Sequence, residues 1–496
     1  MNDTGLLHYR MYIDGKQSDG SGGQTLQSLN PATGRSWATF ACANAADVGL
    51  AVTAARRALN EGPWRSMTAS ERGKLMLKLA SLIEEHAAEL GQIETTDSGK
   101  LATETIQQTS YVADYYRYYA GLADKIEGST LPIDKPGMHV FTTRRPIGVV
   151  AAVVPWNAQM FLAATKIGPA LAAGCAVVVK ASEVAPCTML EFANLVHEAG
   201  FPPGVVSIIT GDAENCAIPL TSHPDVDRIA FTGGPDSARH VVRNSAENFA
   251  VLSLELGGKS PIVVFEDADL ESAANGLIAG NFGASGQSCV AGSRGIVHSS
   301  IKEELIRRVT EKSKSIVVGD PLDEKTHVGP LCTLAQLDKT EQAIGTALTQ
   351  GATVHFGGTR PATPTGGFYF EPTLVECQSQ ETETLQTELF SPVMSIIAFD
   401  TEEEAVAIAN NSEYGLGSGV FTRDVARAHR VSRELRTGIC WINTYRAISP
   451  IAPFGGFKQS GYGREGGLDV IYDYTRTQTT WINLSDEPMA NPFVMR

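Results

Sequence analysis

The sequence predicts an α/β protein built on an open, mainly parallel sheet, with a second α/β region after it. Three observations carry this. Unbroken apolar runs of strand length recur through the middle of the chain. Segments with helical spacing separate them. Hydrophobic residues make up 43% of the 496 positions and charged residues 19%, which is enough to fill two or three cores.

The elements follow in order. IGVVAAVVP (147–155) has no polar interruption and reads as a strand covered on both faces. A helical stretch follows from Met160 to Ala173. CAVVVK (175–180) is the next strand, TMLEFANLVHEAG (188–200) a helix, and VVSIIT (205–210) a third strand. After a short helical segment come RIAFTGG (228–234), a helix through DSARHVVRNSAEN (236–248), and VLSLELGG (251–258). This alternation is that of βαβ units, and such open sheets bind ligands at the carboxyl ends of their strands. PIVVF (261–265), SRGIVH (293–298) and SPVMSIIAF (391–399) are strand-like, and KEELIRRVTEKSKSI (302–316) is helical. KIEGSTLPIDKPGMHVFTTRR (125–145) and YTRTQTTWINL (474–484) alternate polar and apolar residues, which suits exposed hairpins. Exposed strand edges invite pairing with another subunit, so a homodimer or homotetramer is expected.

Bulk properties exclude several classes. The net charge of -15, with no basic stripe, argues against a nucleic-acid partner. The opening MNDTGLLHYRMYIDG lacks the charged and apolar regions of a secretion signal, so a cytoplasmic protein is expected. MFLAATKIGPALAAGCAVVV (160–179) is apolar enough to resemble a membrane span. Lys166, Gly168-Pro169 and Gly174 argue instead for helix, turn and buried strand. The eight cysteines are scattered without metal-type spacing, so no metal is expected. GYGREG (461–466) fits a dinucleotide fingerprint, but no apolar strand precedes it, so it reads as a glycine-rich loop.

Cys289 differs from the other cysteines. It stands in GQSCVAGSR (286–294), a polar loop in which nearby glycines let backbone N–H groups approach a reacting atom. Glu255 ends an apolar strand, where a carboxylate is costly unless it is salt-bridged or serves as a base of raised pKa. Asn157, just past the first strand, has an amide suited to an oxyanion or to capping the next helix. Lys180 and Glu183 follow the second strand, either as a solvated helix start or on a ligand.

Together these blocks resemble the aldehyde dehydrogenase superfamily. The likeness runs from YIDG (12–15) and NPATG (30–34) through YYRYYAGLADKIEG (115–128), LELGGKSP, GQSCVAGSR and ELFSPV (388–393) to PFGGFKQSGYGRE (453–465). It implies a Rossmann-type dinucleotide-binding domain from 1–124 and 146–257, a catalytic α/β domain over 258–472, and a small β oligomerisation arm from 125–145 and 473–496. It implies Cys289 as nucleophile, Glu255 as base, and Asn157 with the Cys289 N–H as oxyanion donors. The implied cofactor is NAD, with NADP a second possibility that a carboxylate at Glu183 disfavours. Lys180 and Glu183 would meet the adenosine ribose and Glu388 the nicotinamide ribose. Phe390 would pack beside the nicotinamide, and Trp156 and Gly233 would line the dinucleotide path. Tyr111, Tyr115, Ala158, Leu162, Thr165, Ser288, Val290, Tyr445 and Arg446 would line an aldehyde tunnel, roomy at Ala158 and Thr165.

Two positions depart from the family pattern. Gly234 replaces a small hydroxyl residue and Ala238 a glycine, so a pyrophosphate contact is missing. Arg446 suits a substrate carboxylate, although a lone loop arginine more often meets water or a surface acid. Three rival readings are open. An acyl transfer to coenzyme A is disfavoured by Glu255. A cofactor-free cysteine hydrolase would need a base such as His298. A non-catalytic protein on this fold is disfavoured by the intact Cys289, Glu255 and Asn157.

Overall fold

The computed structural model describes residues 5–363, 366–489 and 491–494; the remaining positions of the expected 473–496 arm lie outside them. The middle of the chain forms an eight-stranded sheet. Its five central strands, Val251–Glu255, Arg228–Thr232, Val149–Val153, Ala176–Ala181 and Val206–Thr210, are parallel neighbours in that order. Four of these five runs are buried at every residue, because helices cover both faces. Short antiparallel strands finish the edges: Met11–Ile13 and Lys16–Ser18 on one side, Gly461–Tyr462 on the other. Among the five central strands the chain starts in the middle, at Val149–Val153, builds to one side and returns to the other, so a crevice opens where the direction switches.

The segment 160–179 divides as expected. A helix Gln159–Ala173 stops at left-handed Gly174 and gives way to the strand from Ala176. No helix of the described residues is long and apolar enough to cross a membrane.

A seven-stranded sheet holds the second region, parallel except for its Thr353–Phe356 edge. Side chains alternate across it: Ile262 and Val264 face one apolar cluster and Val263 the other. Cys289 lies just before this sheet's strand Arg294–His298, whereas Glu255 ends a strand of the first sheet. The carboxyl ends of one sheet therefore face the amino ends of the other, and that junction positions the site.

Three boundaries are corrected. The helix expected over 302–316 spans Ser299–Ser313, with His298 capping its start. The helix expected through residue 248 ends at Asn244. The C-terminal segment is not a hairpin of its own: Thr475–Asn483 pairs antiparallel with Met138–Pro146 in one ribbon. Alternation marked both strands correctly but could not say that each was the other's partner.

Candidate active site

Asn157 follows the strand Val149–Val153 and does not cap the helix after it. The cap position is Ala158, which makes no side-chain bond to the helix. The Asn157 amide instead donates Nδ2 to the Gln287 carbonyl at 3.1 Å. That carbonyl is two residues before Cys289, and the second Nδ2 hydrogen is left for another acceptor.

The cysteine loop is held from several sides. Ala284 and Ser285 both take left-handed backbone, φ 53° each, which non-glycine residues adopt only where the surroundings enforce it. The Ala284 N–H donates to Glu104 at 3.0 Å, Ser285 donates to the Gly329 carbonyl at 2.9 Å, and Gln287 accepts from the Cys332 N–H at 2.8 Å. A Cβ on Gly286 would stand 2.1 Å from the Ser391 carbonyl oxygen. This glycine therefore serves the loop's close packing as well as the freedom read from the sequence.

Cys289 is half-buried. Burial, then the charges of Glu388 and Glu255, push its thiol up to about 12, against the pull of Arg446 and a backbone N–H. Below that value the thiolate fraction rises tenfold per pH unit. Alkylation of Cys289 by iodoacetamide is therefore expected to accelerate steadily from pH 6 to 9, measurable by mass spectrometry; a flat profile would contradict this environment.

Glu255 is 3% exposed, and both its carboxylate oxygens are buried without a hydrogen-bond partner. It is not the salt-bridged strand residue of the alternative reading. Burial first, and then Glu465, raise its pKa well above the usual carboxylate range; Lys166 and Arg464 oppose this.

Glu465 and Lys166 were not expected as site residues. Lys166 sits fully buried in a mainly apolar helix, ion-paired with Glu465 and bonded to Thr232 Oγ1 at 2.6 Å. Thr165 donates to the other Glu465 oxygen at 2.7 Å. A lysine in so apolar a helix was itself a signal, since buried ammonium groups require partners. Lys166→Met should leave Glu465 buried and unpaired, lowering stability by about 3–5 kcal/mol in denaturant unfolding. Lys166→Met with Glu465→Leu should recover much of that loss. The pairing also settles GYGREG: Gly461–Tyr462 is an edge strand and Glu465 points inward, so the segment is not a dinucleotide fingerprint.

The crevice at the strand ends carries the expected cofactor residues. Lys180, almost fully buried, is ion-paired with the more exposed Glu183 and so is not a solvated helix start. The Gly233 N–H donates to the Glu255 carbonyl at 3.1 Å. Gly234 caps the helix Pro235–Asn244 without a side-chain bond, and Ala238 is buried inside that helix. The helix's first N–H groups therefore lack a side-chain acceptor, an arrangement suited to phosphate. Trp156 and Phe390 meet edge-on at 5.5 Å, Phe390 with φ 55°. Glu388 accepts from the Gly258 N–H at 2.9 Å; burial raises it to about 7 against that bond and the charges of Lys339 and Lys259. One carboxylate after the second strand, another beside the Trp156–Phe390 pair and an uncapped helix start between sheet and solvent fit a dinucleotide.

The nine expected tunnel residues do not share one surface. Tyr115, Leu162 and Thr165 line a narrow slot of about 50 Å³ with Phe161, Trp441 and Phe454, three aromatics not picked out from the sequence. Trp441 and Phe454 also belong to the apolar cluster that touches Cys289. Tyr111 and Arg446 line an adjoining open groove; Ile448 borders both spaces, and Tyr111 donates to its carbonyl at 3.2 Å. Ser288 faces a small cavity with Glu388 and Phe390. Val290 packs in the wall, and Tyr445 lies behind it, its hydroxyl on the Val290 carbonyl at 3.0 Å and its ring 4.8 Å from Trp441. His298 packs on Phe399 and bonds Ser300, and no histidine among the described residues bonds Cys289.

Comparison with known proteins places the whole chain in one family. The model of the aldehyde dehydrogenase family matches residues 18–480. The (Z)-2-((N-methylformamido)methylene)-5-hydroxybutyrolactone dehydrogenase of Acinetobacter baylyi is 53% identical, over 99% of this chain and 100% of its own length. Aldehyde dehydrogenase family 2 member C4 of Arabidopsis thaliana is 39% identical, over 97% of this chain and 96% of its own. An aldehyde dehydrogenase of Bacillus cereus, solved as its NAD+ complex, superposes with a TM-score of 0.94 at 39% identity, over 96% of this chain and 97% of that one. The chain belongs to the aldehyde dehydrogenase family.

Proposed function

We propose that this chain oxidises an aldehyde to its carboxylic acid with NAD, using Cys289 as nucleophile, Asn157 as oxyanion donor and Glu255 as base. The observation that carries it is the convergence of three distant segments. The Asn157 amide reaches the cysteine loop, and the charge of Glu255 is felt at the Cys289 sulfur.

The steps follow from the chemistry of these groups. An aldehyde carbon is electron-poor and does not release hydride until a nucleophile makes it tetrahedral. Cys289 sulfur forms that bond, its proton passing to a base, and charge gathers on the former carbonyl oxygen. The free Asn157 N–H and the Cys289 backbone N–H stabilise that charge; one such donor contributes about 3–4 kcal/mol in comparable sites. When bound, NAD supplies the hydride acceptor, with Lys180, Glu183, Gly233, Glu388, Trp156 and Phe390 as its holding residues. As the oxygen's electrons reform the carbonyl, the aldehyde C–H bond breaks, its electron pair would leave as hydride to that acceptor, and a thioester remains on Cys289. Glu255, once deprotonated, takes a proton from water, which displaces the sulfur and releases the acid. A glutamate in this place favours water over coenzyme A as acceptor.

The division into a dinucleotide domain (1–124, 146–257), a catalytic domain (258–472) and an arm (125–145, 473–496) is part of the same proposal. So are a homodimer or homotetramer formed through the arm and a cytoplasmic location. NADH absorbance with a panel of aliphatic, aromatic and carboxylated aldehydes tests the activity: acid must form without coenzyme A, and a strict coenzyme A requirement would overturn the reading. Because Glu183 would face the added phosphate, kcat/KM with NAD should exceed that with NADP by at least about tenfold, ~1.4 kcal/mol.

The name of the Acinetobacter relative bears on the substrate. A 5-hydroxylactone is the ring-closed form of a 4-oxo acid. When its hydroxyl proton leaves and the ring C–O bond breaks toward the acyl oxygen, an aldehyde and a carboxylate appear. Only the open form presents the carbonyl that Cys289 can attack, so a carboxylated aldehyde is the substrate class we favour.

A further inference from the structure

We propose that Arg446 anchors the carboxylate of such a substrate, so that 4-oxo acids are taken ahead of neutral aldehydes. This rests on the aldehyde oxidation proposed above. The slot beside Cys289 has an aromatic and aliphatic wall whose one charged side chain is Glu465, and both oxygens of Glu465 are already engaged by Lys166 and Thr165. Nothing on that wall attracts an anion. A distal carboxylate must find its partner where the slot meets the groove at Ile448, and Arg446 lines that groove.

The groove's other cations are already paired. Lys100 is bonded to Glu94 and Gln108, and Arg117 to Glu84 and Asp114. Glu104, on the same groove, accepts the Ala284 N–H. Arg446 has no ion pair among the described residues. Its one hydrogen bond runs from Nη1 to the Ala279 carbonyl at 3.1 Å, in the last turn of the helix Leu270–Asn281. Capping that carbonyl uses one of five guanidinium N–H groups, and the rest form a fork that matches a carboxylate.

The guanidinium is also seated rather than loose. Arg446 takes a left-handed φ of 63°, and a Cβ on Gly283 would fall 2.6 Å from Nη1. Gly283 lies in the turn that leads to Cys289, so the cysteine loop itself forms the seat. The charge is close enough to favour the Cys289 thiolate. A cation on the groove that adjoins the slot, seated on the cysteine loop, suits a substrate with an aldehyde at one end and an anion a few bonds away.

The test compares 4-oxobutanoate with pentanal, a neutral aldehyde of similar length, in the native enzyme and in Arg446→Gln and Arg446→Lys. The native enzyme should prefer 4-oxobutanoate at least about tenfold in kcat/KM. Arg446→Gln should lower kcat/KM for 4-oxobutanoate about 100-fold, chiefly through KM, and lower that for pentanal by no more than about tenfold, the part owed to the lost pull on the Cys289 thiolate. Arg446→Lys should recover part of the loss, and unchanged NAD binding should show that the variants are folded. Equal losses on both substrates would reduce Arg446 to a helix cap and overturn the proposal. A native enzyme that favours pentanal would do the same while leaving aldehyde oxidation standing. NADH formation from no aldehyde would remove that oxidation, and the anchor with it.

Discussion

Cys289→Ala should abolish dehydrogenase turnover while NAD still binds. In the proposed route every later step starts from a bond to sulfur, and a methyl group cannot make that bond. Replacing the nucleophile of a concerted site typically costs about 10⁶-fold in rate, so residual NADH formation should be undetectable. Binding should survive because the holding residues lie on other segments. Lys180 and Glu183 follow one strand, Gly233 another, and Glu388 is fixed by the Gly258 N–H. The neighbours of Cys289 should also stay in place, since the loop is tied through Ala284, Ser285 and Gln287 rather than through the sulfur. Calorimetry should give a Kd for NAD close to the native value, and NAD should still raise Tm, as any ligand specific to the folded state does. Retained turnover would mean that another nucleophile acts. Lost NAD binding would mean that the loop, not the chemistry, was damaged.

Much of this was legible in the sequence because the relevant physics is local. A strand such as VVAAV (149–153), buried on both faces, must be apolar throughout, so the central strands announced themselves. Cys289, Glu255 and Asn157 were conspicuous as polar groups beside apolar strands. What escaped depends on contacts distant along the chain. Lys166 and Glu465 pair across 299 positions, and neither residue names the other. The slot's Phe161, Trp441 and Phe454 look like ordinary core aromatics until the ends of the two sheets are brought together. The edge strands Met11–Ile13 and Lys16–Ser18 are three residues each, too short for a period to register. Tyr445 and Tyr111 diverge for a similar reason: one turns inward on the Val290 carbonyl, the other holds the Ile448 carbonyl at the groove.

Glu255→Gln should separate the two halves of the reaction. The amide keeps the shape of the side chain but cannot accept a proton from water, so the thioester should form and then persist. The expected trace is a burst of NADH approaching one per site, followed by a steady rate reduced about 10²–10⁴-fold, the usual contribution of a positioned general base. Acid quench and mass spectrometry should find the acyl group on Cys289. The pH profile adds a second reading. In the native enzyme Glu255 must lose a proton before it can act, and burial together with Glu465 raises its pKa well above the ordinary carboxylate value. Steady-state turnover should therefore rise with pH through an acidic limb that Glu255→Gln lacks. Lys166 acts in the opposite direction, favouring the ionised form. Lys166→Met, where it remains folded, should move the limb to higher pH, whereas a purely structural role would lower the rate without moving it. Turnover of Glu255→Gln at the native rate, or a steady state with neither burst nor acyl-enzyme, would assign the base to another residue.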